Sequence, residues 1–431
     1  MPPRIIQVFE HETLRYPGQR NGVAFTEVDF RALVRFNERH RNRYFTVLHQ
    51  GVRFSQYVGV VQVGSLTVEI LPKADRETAP GTEAESQACW QGVLLDMLRE
   101  CRLLRGVASP APLHCPPGSI LEAYLDAFLT ETEALLRKGL VKKYRSEEAN
   151  QDVLKGSLQF SRHLRENAVH PERFYVRHQT YDARHPLYRV LRGALQLFPR
   201  LTGQPRLVGQ AQRLASHLPP TAGERVDERT FAAIRLDRKT EGYRAALDLA
   251  RLILLGYQPD LRGGREHTLA ILFDMNALFE AYIYNQLKGV ESGTVRVEKQ
   301  VAAYFWENKR VRPDIVIRTL GEKAEPVTYV VDTKWKALRQ PQPDDDDLKQ
   351  MYVYNQYYRA AKSVLLYPAT RGLGETHGSF RLGNPFLSDD PAKQAHGCTL
   401  QFVQLVQDGK LRKDLGASLL KGILGGQGAA G

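Results

Sequence analysis

The sequence predicts an α+β fold: a small β-rich N-terminal domain over residues 1–86, a mainly helical middle region over 87–265, a C-terminal α/β domain over 266–424 and a flexible tail over 425–431. Three observations predict it. Short runs rich in β-branched and aromatic residues crowd the first 73 positions. From Cys89 onward the apolar residues fall instead at three- and four-residue spacing. Beyond residue 266 a helix-like segment is followed by several strand-like ones.

The composition sets the bounds. A chain of 431 residues has room for about three domains, or two large ones. With 42% hydrophobic and 25% charged residues it reads as a folded protein rather than a disordered, collagenous or coiled-coil one. Gly106–Leu121, the longest uncharged stretch in the N-terminal third, is broken by prolines and falls short of the roughly 20 apolar residues of a membrane span. Met1–Glu10 shows no secretory pattern, so a cytoplasmic location without a membrane partner is expected. The four cysteines, Cys89, Cys101, Cys115 and Cys398, form no Cys-x-x-Cys pair, which argues for reduced or buried thiols over zinc or disulfides. The net charge of +12 favours a polyanion such as nucleic acid but names no chemistry.

In chain order, Ile5–Phe9, Tyr44–Leu48, Tyr57–Val63 and Leu66–Leu71 read as strands, the last two joined by a tight Gly64-Ser65 turn. Ala74–Ser86 reads as a linker. Trp90, Val93, Met97, Cys101 and Leu104 form one helical stripe, and Ser119 with Glu122 is a capping box opening a helix through Leu121, Leu125, Phe128 and Leu135. Leu187–Phe198 and Tyr243–Leu255 are further helices, interrupted by Pro219-Pro220 and Gly263-Gly264. Ile271–Tyr284 is then expected as a helix with Leu272, Met275, Phe279 and Tyr282 inward. Val295–Val301, Ala302–Trp306, Arg312–Ile317 and Tyr329–Trp335 follow as strands or strand-like segments, and Asp347–Tyr354 as a helix. Gly425–Gly431 is a frayed tail.

Strand alternation places Asp332 and Lys334 on one face and Thr333 on the other, so an acid and an amine converge. Hydrolysis of a phosphodiester needs carboxylates for Mg²⁺, charge to stabilise the transition state and a group that handles water. Asp314, Asp332 and Lys334 have those properties. Mg²⁺ accepts few protein oxygens and keeps its waters, so two carboxylates with a backbone carbonyl, that of Thr333, would suffice. Lys334 would act as general base or charge clamp. Glu280, at the edge of its helix's apolar stripe, would reach a metal-bound water or a second ion.

Pro313-Asp314, an interval of 18 residues, then Asp332-x-Lys334 resembles the PD-(D/E)xK (restriction-endonuclease-like) nuclease signature. In that superfamily the helix after the motif often carries a Gln beside the active site, which places Gln350 there. A closer resemblance is to the McrC family. It rests on Leu71-Pro72-Lys73, Leu154–Phe160, Tyr181–Leu195, Met275–Glu280, Pro313-Asp314, Asp332–Lys336 and Asp347–Tyr354, in that order over most of the chain. McrC is the nuclease subunit of McrBC modification-dependent restriction systems. The resemblance therefore implies a hexameric McrB-like AAA+ GTPase partner that reads modified cytosine, double-stranded DNA as substrate, stimulation of the partner's nucleotide hydrolysis, and room for dimerisation bridging two rings. Arg310, Arg312, Lys336 and Arg339 are the expected phosphate contacts. The basic segment Arg39, His40, Arg41, Asn42 and Arg43 is the expected docking element, entering a ring or completing a nucleotide site as an arginine finger does.

Blander uses compete for the same residues. Asp332 and Lys334 suit a surface ion pair, Glu280 a solvated helix edge, and Gln350 a bond to nearby backbone. Asp344–Asp347 is read as helix capping rather than as a metal site, and Tyr352, Tyr354, Tyr357 and Tyr358 mainly as packing. His40, His49 and His114 show no ligand spacing. Two other functions stand beside the nuclease subunit: a non-catalytic activator or bridge of an AAA+ ring, and a stand-alone repair nuclease.

Overall fold

The computed structural model describes residues 4–72, 82–103, 119–182, 185–220, 226–258, 267–320, 326–338, 340–369, 373–390 and 393–425. Lys73, Cys115, His114, Gly263-Gly264, Arg339, most of the expected linker and the tail beyond Gly425 lie outside them. The chain forms two compact units. One joins Arg4–Leu104 to Gly263–Gly431, and the other is centred on Arg105–Arg262.

In the first unit, Tyr57–Val63 and Leu66–Leu71 form the expected hairpin, with Val63 opposite Leu66 across Gly64-Ser65. Gly64 takes φ +57°, the left-handed conformation that glycine adopts without a Cβ penalty. Arg4–Phe9 pairs parallel with Leu66–Leu71. The opposite edge of the hairpin is taken by Thr268–Asp274, antiparallel to Tyr57–Val63. This corrects the expected helix over 271–284, which begins only at Met275 and runs to Lys288. A short apolar run such as Leu269–Phe273 suits either periodicity, and an unpaired neighbouring strand decides it. Asp274 ends the strand and caps the helix by accepting from the Asn276 amide. Met275, Phe279 and Tyr282 are buried as expected, whereas Leu272 packs on the N-terminal core.

A helix over Glu27–Arg39, unforeseen among the N-terminal strands, opens with a Thr26/Asp29 capping box and buries Leu33 and Phe36. Another capping box, Thr82 with Glu85, starts the Glu83–Glu100 helix inside the expected linker. A second sheet holds six strands in the order Val295–Lys299, Ile315–Leu320, Pro326–Thr333, Lys362–Pro368, Gly397–Val403 and Thr376–Ser379. Pro326–Thr333 runs parallel to Lys362–Pro368. A parallel pair needs a crossover, and the Asp345–Tyr358 helix supplies it. Its Met351 and Tyr354 pack on Val330, Leu365 and Leu400.

The other unit contains the helices Ile120–Arg137, Pro186–Leu201, Pro205–His217 and Arg244–Gly256. Ser119 caps the first by accepting from Leu121. A three-stranded antiparallel sheet, Lys143–Gln151, Ser157–Leu158 and Phe174–Asp182, is an addition to the helical reading. Lys143–Gln151 has no apolar alternation to announce it, because none of its residues is buried. Among the described residues no helix is long and apolar enough to cross a membrane.

Candidate functional site

The second sheet brings the predicted acids together through register. Ile315 pairs with Val331 in adjacent antiparallel strands, so Asp314 and Asp332, one residue further along each, meet at the same end of the sheet. Thr333 locks Asp314 in place, its amide and hydroxyl donating to Asp314 Oδ2 at 2.7 and 2.8 Å. Both contacts use the amide and hydroxyl of Thr333 and do not involve its backbone carbonyl. Asp332 is 3% exposed.

Lys334 donates into three oxygen acceptors from two elements. Its Nζ is 2.9 Å from Asp332 Oδ2 and 3.1 Å from Asp347 Oδ1, and it donates to Gln350 Oε1 at 3.4 Å. Asp347 and Gln350, three residues apart, face the site from one side of the crossover helix. Gln350 thus stands beside Lys334. Asp347 does more than the capping expected of it, since it clamps Lys334, while Asp344 holds the N-cap position without a side-chain cap bond and instead receives Lys336 Nζ at 2.7 Å. Gln350 Nε2 donates to Tyr354 Oη at 2.6 Å, which in turn donates to the Arg312 carbonyl at 3.1 Å.

Burial, then the carboxylate of Asp314, raise Asp332 to about 7 against the opposing pull of Lys334. Burial alone would lower the Lys334 ammonium, but Asp332 and Asp347 outweigh it and hold the charge. The two directions are compatible because the lysine faces two carboxylates, whereas at Asp332 burial and the Asp314 charge together outweigh Lys334. The site as folded contains an ammonium and an acid poised near neutrality.

Glu280 is not joined to this cluster directly. Its Oε1 accepts from Gln300 Nε2 at 2.7 Å and lies 3.5 Å from Lys299 Nζ. Gln300, whose amide donates to the Asp314 carbonyl at 2.9 Å, is the link. Nothing in the sequence pattern singles out Gln300. It sits in a left-handed turn at φ +50° just past the Val295–Lys299 strand. Among the described residues no three His, Cys, Asp or Glu side chains form a cluster able to hold a metal alone.

Trp335, at the end of the motif, is buried and donates to Glu10 Oε1 at 2.6 Å, with its ring 5.1 Å from that of Phe279. This bond ties the site to the turn just after the Arg4–Phe9 strand. Arg310 and Arg312 are exposed, Lys336 is exposed but paired with Asp344, and Arg339 lies outside the described residues. In the basic segment, Arg39 ends its helix, and Arg41 and Asn42 turn through left-handed conformations. Arg43 lies 5.1 Å from the Tyr57 ring centroid and donates to that hydroxyl at 2.5 Å. His40 packs against Phe36.

The family model described as "McrBC 5-methylcytosine restriction system component" matches residues 52–368. Two similar solved structures come from Thermococcus gammatolerans. One is a half-complex from the tetradecameric assembly of McrB AAA+ hexamers with bound McrC. Its matched chain is 19% identical at a TM-score of 0.70, over 97% of this chain and 100% of that one. The other, a structure of the McrBC complex, contributes a chain 18% identical at a TM-score of 0.51, over 65% of this chain and 86% of that one. At these identities the likeness is one of fold. No curated protein matches the chain.

Proposed function

This chain belongs to the family of McrBC 5-methylcytosine restriction system components, and we propose that it is the Mg²⁺-dependent endonuclease subunit of such a system, cutting double-stranded DNA in complex with a hexameric AAA+ partner. The observation that carries this reading is the convergence of Asp314, Asp332 and Lys334 at one end of a mixed sheet, backed by Gln350 from the crossover helix. It is the grouping that the resemblance of Pro313-Asp314 and Asp332-x-Lys334 to the PD-(D/E)xK signature calls for.

The donor set suits Mg²⁺. Asp314 and Asp332 are like charges held together, and the resulting penalty on ionising Asp332 is one that a divalent cation between them would relieve. Two carboxylates are few ligands, in keeping with an ion that retains most of its waters. Bound there, Mg²⁺ would supply Lewis acidity toward the phosphate and a more acidic water. The rest is done by the chain. Asp314 is oriented by Thr333, so its second oxygen is presented in a fixed direction. Lys334, kept charged by Asp332 and Asp347, acts as a clamp on the anionic transition state rather than as a base. Gln350 and Asp347 position Lys334, and Glu280 acts through Gln300 on the Asp314 backbone. Arg310, Arg312 and Lys336 supply phosphate contacts, Lys336 after leaving Asp344.

The partner assignment draws on the fold shared with a chain from an assembly of McrB AAA+ hexamers with bound McrC. The corner at Arg39–Arg43 is the docking element, its exposed Arg39 and Arg41 making no side-chain ion pair or hydrogen bond among the described residues. The test is Mg²⁺-dependent cleavage of methylated plasmid by the complex with nucleotide, comparing wild type with Asp332→Ala and Lys334→Ala and recording nucleotide hydrolysis in parallel. Loss of cleavage with hydrolysis still stimulated is the expected result. Cleavage that persists in both variants would remove this site from the reaction and leave the chain a ring activator.

A further inference from the structure

Just before Asp314 the chain makes a hairpin, Ala303–Trp306 with Lys309–Val311, that belongs to neither large sheet. It exposes three consecutive aromatic side chains: Tyr304 at 60%, Phe305 at 47% and Trp306 at 60%. Scattered exposed apolar residues need no explanation, but three exposed aromatic residues in succession on one small hairpin are a candidate binding element. Its rim is cationic. Lys309, Arg310 and Arg312 are exposed, and the Arg310 guanidinium lies 4.4 Å from the Tyr304 ring centroid.

The hairpin is also held firmly against the site. A β-bulge at Phe305 breaks its register, and the crossover helix grips it at successive points along one face. Tyr358 Oη sits between the carbonyls of Val301 and Val311, its single proton shared between them, and so braces the base of the hairpin. Tyr357 Oη donates to the Phe305 carbonyl at 3.1 Å, with the two rings edge to face at 6.3 Å. Tyr354 holds the Arg312 carbonyl and, through Gln350, reaches Lys334. One helix therefore sets the aromatic tip and the catalytic ammonium in a single frame.

We propose that this hairpin is a DNA wedge: its aromatic rings insert at or between the bases of the duplex, while Lys309, Arg310 and Arg312 hold the flanking phosphates and so fix which phosphodiester reaches Asp314, Asp332 and Lys334. The proposal rests on the nuclease reading and adds the mode of DNA engagement. Flat rings between cations match a partner that offers π-faces and phosphates together, which a duplex with a deformable base step does.

Tryptophan fluorescence tests it directly. Trp90 and Trp335 are buried, at 3% and 7% exposed, so the acrylamide-accessible emission of the full chain belongs to Trp306. Titration with a short methylated duplex in EDTA, where no cleavage occurs, is expected to quench that emission, and Trp306→Phe removes the signal. The combined Tyr304→Ser, Trp306→Ser variant, which leaves Phe305 on Tyr357, is expected to bind the duplex at least tenfold more weakly by anisotropy with an unchanged melting temperature. Accessible emission unaffected by DNA, no binding of the duplex, or equal affinity in the serine variant would overturn the wedge. So would loss of AAA+ partner co-purification in that variant with DNA quenching absent in the wild type, since the rings would then be a protein interface. Plasmid cleavage by the complex carrying Asp332→Ala, measured alongside, reports separately on the nuclease reading.

Discussion

Replacing Asp332 by Asn should make the protein more stable while abolishing cleavage. The carboxyl is raised from 3.8 to about 7 by burial and by Asp314, against the pull of Lys334. At roughly 1.36 kcal/mol per pKa unit, ionising it in the folded state above pH 7 costs up to about 4 kcal/mol. Asn occupies the same space without a charge to desolvate, and Lys334 retains Asp347 and Gln350. A gain of ~2–4 kcal/mol is expected at pH 8 in EDTA, which is about 4–8 °C in melting temperature for a unit of this size. The pH dependence carries a defined sign. A group whose folded pKa is raised contributes fully below its unfolded value and loses that contribution as pH climbs through the folded one. The advantage of the variant should therefore be under about 1 kcal/mol near pH 4, grow through pH 5 and 6, and level off above 7. Melts followed by the emission of buried Trp335, beside Phe279, report on the right region. A variant no more stable than wild type at pH 8, or an advantage independent of pH, would refute the strained-acid account.

The neighbouring residues predict different signs. Lys334→Ala removes the one ammonium shared by Asp332 and Asp347 and should lower stability by about 2 kcal/mol or more in the same melts, opposite to Asp332→Asn. Trp335→Phe keeps an aromatic ring but trims the buried indole and deletes its donor to the buried Glu10 carboxylate; a loss of about 1–3 kcal/mol is expected, and an unchanged melting temperature would show both to be dispensable. Arg39→Ala with Arg41→Ala should leave the melting temperature within about 1 °C, both side chains being exposed, yet abolish stimulation of the partner's nucleotide hydrolysis. Stimulation at the wild-type level would move the docking surface elsewhere.

Local chemistry made much of the site legible. The resemblance to the PD-(D/E)xK signature grouped Asp314 with Asp332, and the 18-residue interval proves to span two adjacent antiparallel strands and their connection. The two-residue period that put Lys334 beside Asp332 holds in any strand. Gln350 was placed by the resemblance to the PD-(D/E)xK superfamily, and the structure sets it on the crossover helix, bonded to Lys334. The same locality misled at Ile271–Asp274, where an apolar run satisfied two periodicities and the edge of Tyr57–Val63 chose the strand. It also missed Glu27–Arg39, although the Thr26/Asp29 capping box was present in the letters.

By itself, then, the sequence determined the hairpin at Gly64-Ser65, the helical stripes, and the identity and facing of the acid–amine motif, because each follows from backbone geometry over a few residues. Only the tertiary structure decided that Asp347 clamps Lys334, that Gln300 stands between Glu280 and Asp314, that the aromatic hairpin is tied to the site by Tyr354, Tyr357 and Tyr358, and that Trp335 bonds Glu10 some 325 residues away. Those contacts join side chains from elements whose separate periodicities carry no record of one another. Their meeting is set by how the helices and sheets bury their apolar faces together, a property of the packed unit rather than of any stretch of its sequence.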